Sequence, residues 1–272
     1  MALRPQIILF GDSITQKSFT TDGWGSHLVA QYARKVDVVL RGYSGYNTRW
    51  ATYLLDKIFP IPSANPPLVV TVFFGANDAA LPDRACKDSH VPLTEYTENL
   101  HRIVAHLKKQ SNSTHIVLIT PPPVDITGCM QGGELTIVLY LYVSSNYFFW
   151  AVNCTDLDFL LRSLYGDKAD PLPERTNETT RLYAEACVAV AKETGASVLN
   201  IWSIFQQTDN WGEKFLCDGL HFTREGNVRL FEELRNLLEE LGLPWDKLPW
   251  DFPEPINIDK KHPAKTFGAL LN

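Results

Sequence analysis

The stretch Ile7-Ile8-Leu9-Phe10-Gly11-Asp12-Ser13 decides the fold. A short apolar run bounded by glycine is typical of a β-strand. Gly11 permits a tight backbone turn after it, and Asp12 or Ser13 can begin a helix as its N-cap. A strand that turns at once toward a helix is the start of a βαβ unit, so this stretch predicts an α/β protein with a parallel sheet.

The rest of the chain repeats this alternation of short β-rich runs and longer helical patterns. The predicted strands are Ile7–Phe10, Val36–Leu40, Leu68–Phe74, His115–Ile119 and Ser197–Ile201. The predicted helices, which carry apolar stripes at helical spacing or end at glycine, are Gly25–Lys35, Thr48–Ile58, Leu93–Lys109, Asn177–Thr194 and Gly226–Leu241. Five strands joined by helices predict a five-stranded parallel sheet.

Composition limits the classes of protein to which the chain can belong. Its 272 residues fit one domain, which we place over 1–242, followed by a Pro- and Trp-rich extension over 243–272. The net charge of -6 argues against a nucleic-acid partner, which requires a basic face. A small molecule is therefore the expected partner. No CxxC or HExxH spacing occurs, so we expect neither a metal nor another cofactor.

The first residues and the cysteines suggest a compartment. Arg4 is the only charge before the first strand, and the apolar run that follows is about four residues, too short for a signal peptide. The five cysteines are odd in number and irregularly spaced, which favours free thiols in a reducing compartment. We therefore expect a cytoplasmic protein.

Four short blocks supply candidates for an acyl-transfer site, which needs a nucleophile, a base, a group that orients the base and donors for the oxyanion. Three blocks follow predicted strands and the fourth precedes the last helix: they are Gly11–Ser13, Arg41–Thr48, Gly75–Asp78 and Asp218–His221. The carboxyl ends of parallel strands form the edge where ligands bind.

Each of the first three blocks also has a purely structural interpretation. The Ser13 hydroxyl is either a nucleophile at an exposed turn or a helix N-cap. A glycine after the second strand either lets a backbone N–H reach an oxyanion or makes a turn. Asn77 either donates its amide N–H to the same oxyanion or simply forms a turn with Asp78. We expect the Asp78 side chain to hold this loop.

The fourth block places an Asp three residues before a His. That spacing brings the Asp218 carboxylate to Nδ1 of His221 and leaves Nε2 for the serine. The same spacing occurs twice more, at Asp259–His262 and Glu98–His101. The first of these lies in the aperiodic tail, and the second lies within a predicted helix, where it is an ordinary surface pair.

Taken together in this order, the four blocks resemble the SGNH (GDSL-type) hydrolase superfamily. Its Ser, Gly, Asn and His match Ser13, Gly45, Asn77 and His221, and its Asp-x-x-His aspartate matches Asp218. The stretches 42–50 and 73–78 are similar to the isoamyl acetate-hydrolysing esterase group, and Leu-Pro-Glu-Arg-Thr-Asn at 172–177 resembles its plant members. The resemblance covers roughly residues 5–126 and 163–242.

This resemblance implies a three-layer α/β/α sandwich of flavodoxin-like type. It implies a serine esterase that hydrolyses small carboxylic esters, acetyl esters among them, through an acyl-serine intermediate. The catalytic residues would be Ser13, Asp218 and His221. The oxyanion would be bound by the N–H groups of Ser13 and Gly45 and by the Asn77 amide. An acyltransferase or sugar deacetylase on the same fold, and a non-catalytic ligand-binding protein, are the alternatives.

One interval departs from the pattern. Between about 126 and 161 the match lapses, and residues 136–152 are apolar and aromatic with Ser144-Ser145-Asn146 at their middle. The run is short of the ~20 residues that a membrane helix requires, so we expect no stable membrane span. A lid over the acyl pocket, an unordered insertion and a segment translated from a retained intron or faulty gene model are the remaining interpretations. The oligomeric state is left open.

Overall fold

A computed structural model describes residues 4–63, 65–84, 86–125, 137–138, 151–152 and 173–268. Its main sheet has five parallel strands in the order β2-β1-β3-β4-β5. They are β1 (Gln6–Gly11), β2 (Asp37–Gly42), β3 (Val69–Phe73), β4 (His115–Ile119) and β5 (Ser197–Leu199). The backbones of Ile137–Val138 and Ala151–Val152 pair antiparallel in a separate sheet. The predicted five-stranded parallel sheet is confirmed, and its order is that of flavodoxin-like folds.

Helices cover both faces of the sheet. On one face lie α3 (Thr48–Thr52), α4 (Leu55–Ile58), α5 (Leu93–Gln110) and α6 (Asn177–Thr194). On the other lie α2 (Trp24–Gln31), α7 (Ile201–Gln206), α8 (Trp211–Phe215) and α9 (Arg224–Glu240). The short α1 (Ser13–Gln16) follows β1, and α10 (Pro263–Gly268) lies near the end of the described chain.

Strand β1 separates two hydrophobic cores because its side chains alternate between the faces. Ile8 and Phe10 join the core under α5 and α6, whereas Ile7 and Leu9 join the core under α2 and α9. All four side chains are buried. Because both faces of this parallel sheet are covered, the sequence of the strand is a continuous apolar run.

The predicted helix Thr48–Ile58 is wrong in one respect, because the structure divides it into α3 and α4. The N–H groups of Tyr53 and Leu54 donate to the carbonyls of Trp50 and Ala51, three residues earlier, at 3.1 Å each. These tighter bonds replace one turn of α-helix. Tyr53 is left exposed at the break.

Two other predicted elements are shorter in the structure. The helix Gly25–Lys35 begins at Trp24 and ends at Gln31, and Arg34 has a left-handed φ of 64°, which a continuing helix does not allow. The strand Ser197–Ile201 ends at Leu199, because the Asn200 side chain caps α7 by accepting from the Ser203 N–H at 3.1 Å.

The stretch that begins the predicted extension is fastened to the turn between α2 and β2. The Tyr32 hydroxyl donates to the carbonyl of Leu243 at 3.1 Å, and the Lys35 ammonium donates to the carbonyl of Trp245 at 2.5 Å. The same ammonium lies 5.1 Å from the ring centroids of both Trp245 and Trp250, a cation–π arrangement. Residues after 242 therefore contact the domain.

The apolar interval 126–161 lies outside the described residues, apart from the backbone of 137–138 and 151–152. Within the ranges that the structure describes, no helix combines the length and apolar character that a membrane crossing requires.

Leu100 tests the core under α5. Its side chain is 1% exposed, so Leu100→Ala leaves a cavity and is expected to lower the free energy of unfolding by about 2–5 kcal/mol. Urea unfolding followed by circular dichroism measures this loss. Leu182→Ala, at an exposed position on α6, is the control and should change stability by less than about 0.5 kcal/mol. Equal losses in the two variants would contradict the core assignment.

Candidate active site

The loops after β1, β2 and β3 meet at one edge of the sheet. Parallel pairing sets Gly11 of β1 beside Gly42 of β2 and Phe73 of β3. The strand order reverses between β1 and β3, and such a reversal is where open α/β sheets bind ligands. The topology therefore brings the first three sequence blocks together.

The exit from β1 leaves no room for a side chain at Gly11. A Cβ on this residue would lie 2.1 Å from Oγ1 of Thr15 and 2.5 Å from the carbonyl oxygen of Phe73. The neighbouring Asp12 N–H donates to that same Phe73 carbonyl at 3.2 Å. Gly11 is required here for close approach of the backbone, and this approach sets the direction in which Ser13 leaves the sheet.

Ser13 begins a hydrogen-bonded chain of three side chains. Its Oγ lies 2.9 Å from Nε2 of His221, and Nδ1 of His221 lies 2.6 Å from Oδ2 of Asp218. Ser13 lies at the turn after β1, and the other two residues lie in the loop before α9. Ser13 and His221 are 208 residues apart in sequence. The structure thus brings together all three predicted catalytic residues.

The His221 loop is closed at its base. The Cys217 N–H donates to the His221 carbonyl at 2.8 Å, and Leu216 forms an antiparallel bridge with Phe222. From outside the loop, the Asp125 N–H donates to the Gly219 carbonyl at 3.0 Å. These bonds hold the imidazole where the Ser13 hydroxyl can reach it.

Asp218 organises the inside of this loop as an anion. Its Oδ1 accepts from the N–H groups of Leu220 at 3.1 Å and His221 at 2.7 Å, while Oδ2 faces the imidazole. Burial disfavours the charged carboxylate, but the hydrogen bonds and the His221 charge outweigh it and hold the pKa of Asp218 well below its usual range. A carboxylate in this position fixes the imidazole tautomer and orientation.

Three N–H donors lie on the loops around Ser13. Gly45 has a left-handed φ of 79°, which favours glycine at that turn. In the described part of the chain, no acceptor is found for the N–H of Ser13 or of Gly45. The Asn77 amide donates one N–H to the carbonyl of Tyr46 at 2.8 Å and keeps a second. These are the donors expected of an oxyanion site.

Asp78 ties the loop after β3 to the loop after β2, as the sequence predicts. Its carboxylate accepts from the Thr48 N–H at 2.9 and 3.2 Å and from the Thr48 hydroxyl. Burial raises the pKa of Asp78 to about 7, although the bonds from Thr48 oppose the rise. The loops that carry Gly45 and Asn77 are therefore joined through one buried carboxyl group.

Asp12 is a second buried carboxyl group beside the site. Its Oδ1 accepts from the Ile14 N–H at 3.0 Å and caps α1, while its Oδ2 finds no hydrogen-bond partner among the described residues. Burial raises the pKa of Asp12 to about 6, against the opposing effect of the His221 and Arg175 charges.

The other histidines with the same spacing do not join this chain. His101 on α5 pairs with Glu193 at 3.0 Å, and the N–H of His262 donates to Asp259 at 3.0 Å in the tail. Of the aromatics near the loops, Trp24 is a fully buried core residue, whereas Trp50 is partly exposed.

Two residues around the site have roles that no sequence pattern indicates. The Gln16 side chain accepts from the Ser44 N–H at 2.8 Å and so holds the loop of Gly45. The Arg175 guanidinium donates to Asn77. Both contacts join residues distant in sequence, and a pattern of neighbouring residues cannot reveal them. Across the same described ranges, no group of three or more His, Cys, Asp or Glu is arranged to hold a metal.

Comparison with known proteins gives concordant relatives. The sequence profile of the GDSL-like lipase/acylhydrolase family matches residues 9–229. A GDSL esterase/lipase of Arabidopsis thaliana is 48% identical over 265 residues, covering 97% of this chain and 98% of the relative. An isoamyl acetate-hydrolyzing esterase 1 homolog of Mus musculus is 37% identical over 263 residues, covering 96% of this chain and 91% of the relative.

A solved lipase/acylhydrolase from Enterococcus faecalis shares the fold. Its TM-score is 0.60 at 21% identity, covering 87% of this chain and 96% of that protein. At this identity the likeness supports the α/β architecture alone.

Asp78→Asn tests the buried carboxyl group. The pKa of Asp78 is about 7 in the folded protein and about 3.9 in an unfolded chain. Between these pH values only the folded state keeps the proton, so the free energy of unfolding falls as pH rises through the window. Asn removes this titration, so the stability of the variant relative to wild type should increase from about pH 5 to about pH 8.

Urea unfolding of both proteins at several pH values measures the difference. Groups that do not interact with Asp78 titrate alike in both proteins, so the difference reports on this carboxyl and on Asp12, whose charge contributes to the raised pKa of Asp78. A relative stability that stays constant or decreases over the window would exclude a raised pKa.

Proposed function

This chain belongs to the GDSL-like lipase/acylhydrolase family, and on that premise we propose that it is a serine ester hydrolase. Ser13 is the nucleophile, His221 is the general base, and Asp218 orients the imidazole. The observation that carries the proposal is the chain of contacts at 2.9 Å from Ser13 to His221 and 2.6 Å from His221 to Asp218. A nucleophile, a base and an orienting group within hydrogen-bond reach are the parts that acyl transfer requires.

Acylation follows from these contacts. The Ser13 Oγ attacks the ester carbonyl carbon while its proton passes to Nε2 of His221, and the Asp218 carboxylate stabilises the imidazolium that forms. The carbonyl oxygen becomes an oxyanion. It is bound by the N–H groups of Ser13 and Gly45 and by the free N–H of Asn77.

The oxyanion then collapses and the bond to the leaving alkoxide breaks. His221 returns its proton to the alkoxide, which leaves as an alcohol, and the acyl group stays on Ser13. A water molecule next gives a proton to His221 and attacks the acyl-serine. The carboxylic acid departs, and Ser13 recovers its hydroxyl proton.

The substrate class that we propose is small carboxylic esters, acetyl esters among them. Support comes from the mouse relative, whose name refers to hydrolysis of an acetate ester. A panel of p-nitrophenyl esters of increasing acyl length, together with sugar acetates and added alcohol acceptors, tests the class. Sugar acetates as preferred substrates would indicate a deacetylase, and ester product from the added alcohols would indicate an acyltransferase.

Ser13→Ala tests the nucleophile. Without the hydroxyl no acyl-enzyme can form, so hydrolysis of p-nitrophenyl acetate should fall to the background rate. Covalent labelling by a fluorophosphonate, located by mass spectrometry on the peptide that contains Ser13, should also disappear. Ser26→Ala, at a half-buried position on α2 where the hydroxyl donates to the Gly23 carbonyl at 2.6 Å, is the matched control and should keep both signals. Activity that survives in Ser13→Ala would contradict the assignment of Ser13 as the nucleophile.

Asn77→Ala tests the oxyanion donor. Loss of one such donor typically lowers kcat by about 10²–10³, with little effect on KM, because the bond strengthens only as the oxyanion forms. Steady-state kinetics on p-nitrophenyl acetate measure both constants. Asn236→Ala, at an exposed position on α9, is the control. A kcat within about threefold of wild type would show that Asn77 does not bind the oxyanion.

A further inference from the structure

The segment 173–176, just before α6 (Asn177–Thr194), fastens the loop that follows β3. We call this segment the clasp. The Glu174 carbonyl accepts from the Leu81 N–H at 2.9 Å, and the Glu174 carboxylate accepts from the Cys86 N–H at 2.7 Å. Thr176, the last residue of the clasp, caps α6 by accepting from the Thr179 N–H at 3.1 Å. The clasp is therefore anchored to a long helix at one end and to the site loop along its length.

Arg175 of the clasp reaches the oxyanion donor itself. Its Nε donates to the carbonyl of Ala76 at 2.6 Å, and its Nη2 donates to Oδ1 of Asn77 at 3.1 Å. The two acceptors belong to consecutive residues. A planar guanidinium presents its donors as a rigid fork, so one side chain holds both the backbone before Asn77 and the Asn77 amide.

The two partners of the Asn77 amide determine which way it points. Arg175 can only donate, so the atom that faces it must be the amide oxygen. The Tyr46 carbonyl can only accept, so the atom at 2.8 Å from it must be the amide nitrogen. A rotated amide would set N–H against N–H and oxygen against oxygen at the two contacts. In the orientation that remains, the second N–H has no acceptor among the residues that the structure describes.

We propose that Arg175 is a positioning residue for ester hydrolysis, fixing the Asn77 amide with its free N–H available to the oxyanion. This inference rests on the proposed function of Ser13 and Asn77. Arg175 itself need not touch the substrate. Its charge also polarises the amide that it binds, which strengthens the N–H as a donor.

Kinetics of Arg175→Ala and Arg175→Lys on p-nitrophenyl acetate test the proposal in the full-length protein. We expect kcat to fall about 10–100-fold in Arg175→Ala, less than in Asn77→Ala, with KM within about threefold of wild type. Lys keeps the charge but lacks the fork, so Arg175→Lys should lose nearly as much. A small guanidinium compound at millimolar concentration should restore part of the kcat of Arg175→Ala.

Arg181→Ala is the matched control. This arginine lies on α6, the helix that begins just after the clasp, and pairs on the surface with Glu178 and Glu185. It should keep the wild-type kcat. Thermal unfolding of each variant checks that the fold survives, and Arg175→Lys supplies the test if Arg175→Ala does not fold.

A double-mutant cycle separates positioning from a general structural role. If Arg175 acts through Asn77, adding Arg175→Ala to Asn77→Ala should lower kcat by less than about twofold further, because the group that it positions is already absent. An equal fold-loss in both backgrounds would overturn the inference, as would wild-type kcat in both Arg175 variants. Wild-type protein that fails to hydrolyse the ester would instead refute the proposed function, and the inference with it.

Discussion

Close approach of the backbone at Gly11 is the constraint on which the site depends. Any side chain there would overlap Thr15 or the Phe73 carbonyl, so the chain can leave β1 tightly enough to begin a helix at Ser13 only with glycine in this position. The same tight exit lets the Asp12 N–H extend the pairing with β3 and lets the Gly11 carbonyl accept from the Tyr43 N–H at 2.8 Å. One residue thus sets the loops after all three strands beside each other.

The site is held by groups that are costly to bury. Asp12 and Asp78 are both fully buried carboxyl groups whose pKa values are raised, to about 6 and about 7, because burial disfavours their charge. Oδ2 of Asp12 is buried with no hydrogen-bond partner among the described residues, and such an atom also costs folding free energy. Apolar residues would avoid both costs. They would supply neither the cap of α1 nor the link between the Gly45 and Asn77 loops, and local conflicts of this kind are expected at functional sites.

Much of the fold and site is predictable because their signals are local. Each strand is a short apolar run, and each of the blocks at Ser13, Gly45 and Asn77 follows its strand directly, so parallel topology alone brings them to one edge. The Asp218–His221 pair is likewise contained in a single turn. The choice among three Asp/Glu-x-x-His spacings is not local. It depends on which histidine the chain returns to Ser13. The helix around His101, the tail around His262 and the family order of blocks favour His221, and the contact at 2.9 Å between Ser13 Oγ and His221 Nε2 decides it.

The parts that the sequence does not reveal are those fixed by contacts between distant residues. The predicted helix Thr48–Ile58 breaks where the N–H groups of Tyr53 and Leu54 donate to carbonyls three residues earlier instead of four. Helix propensity does not determine that position. Arg175 lies 98 residues from Asn77, and the stretch 172–177 that contains it indicates no chemistry by itself. A strand exit can place a donor near an oxyanion, but it does not decide which way an amide side chain faces. That choice requires a partner that only donates on one side and a partner that only accepts on the other. The fold supplies the first from the clasp before α6 and the second from the loop after β2.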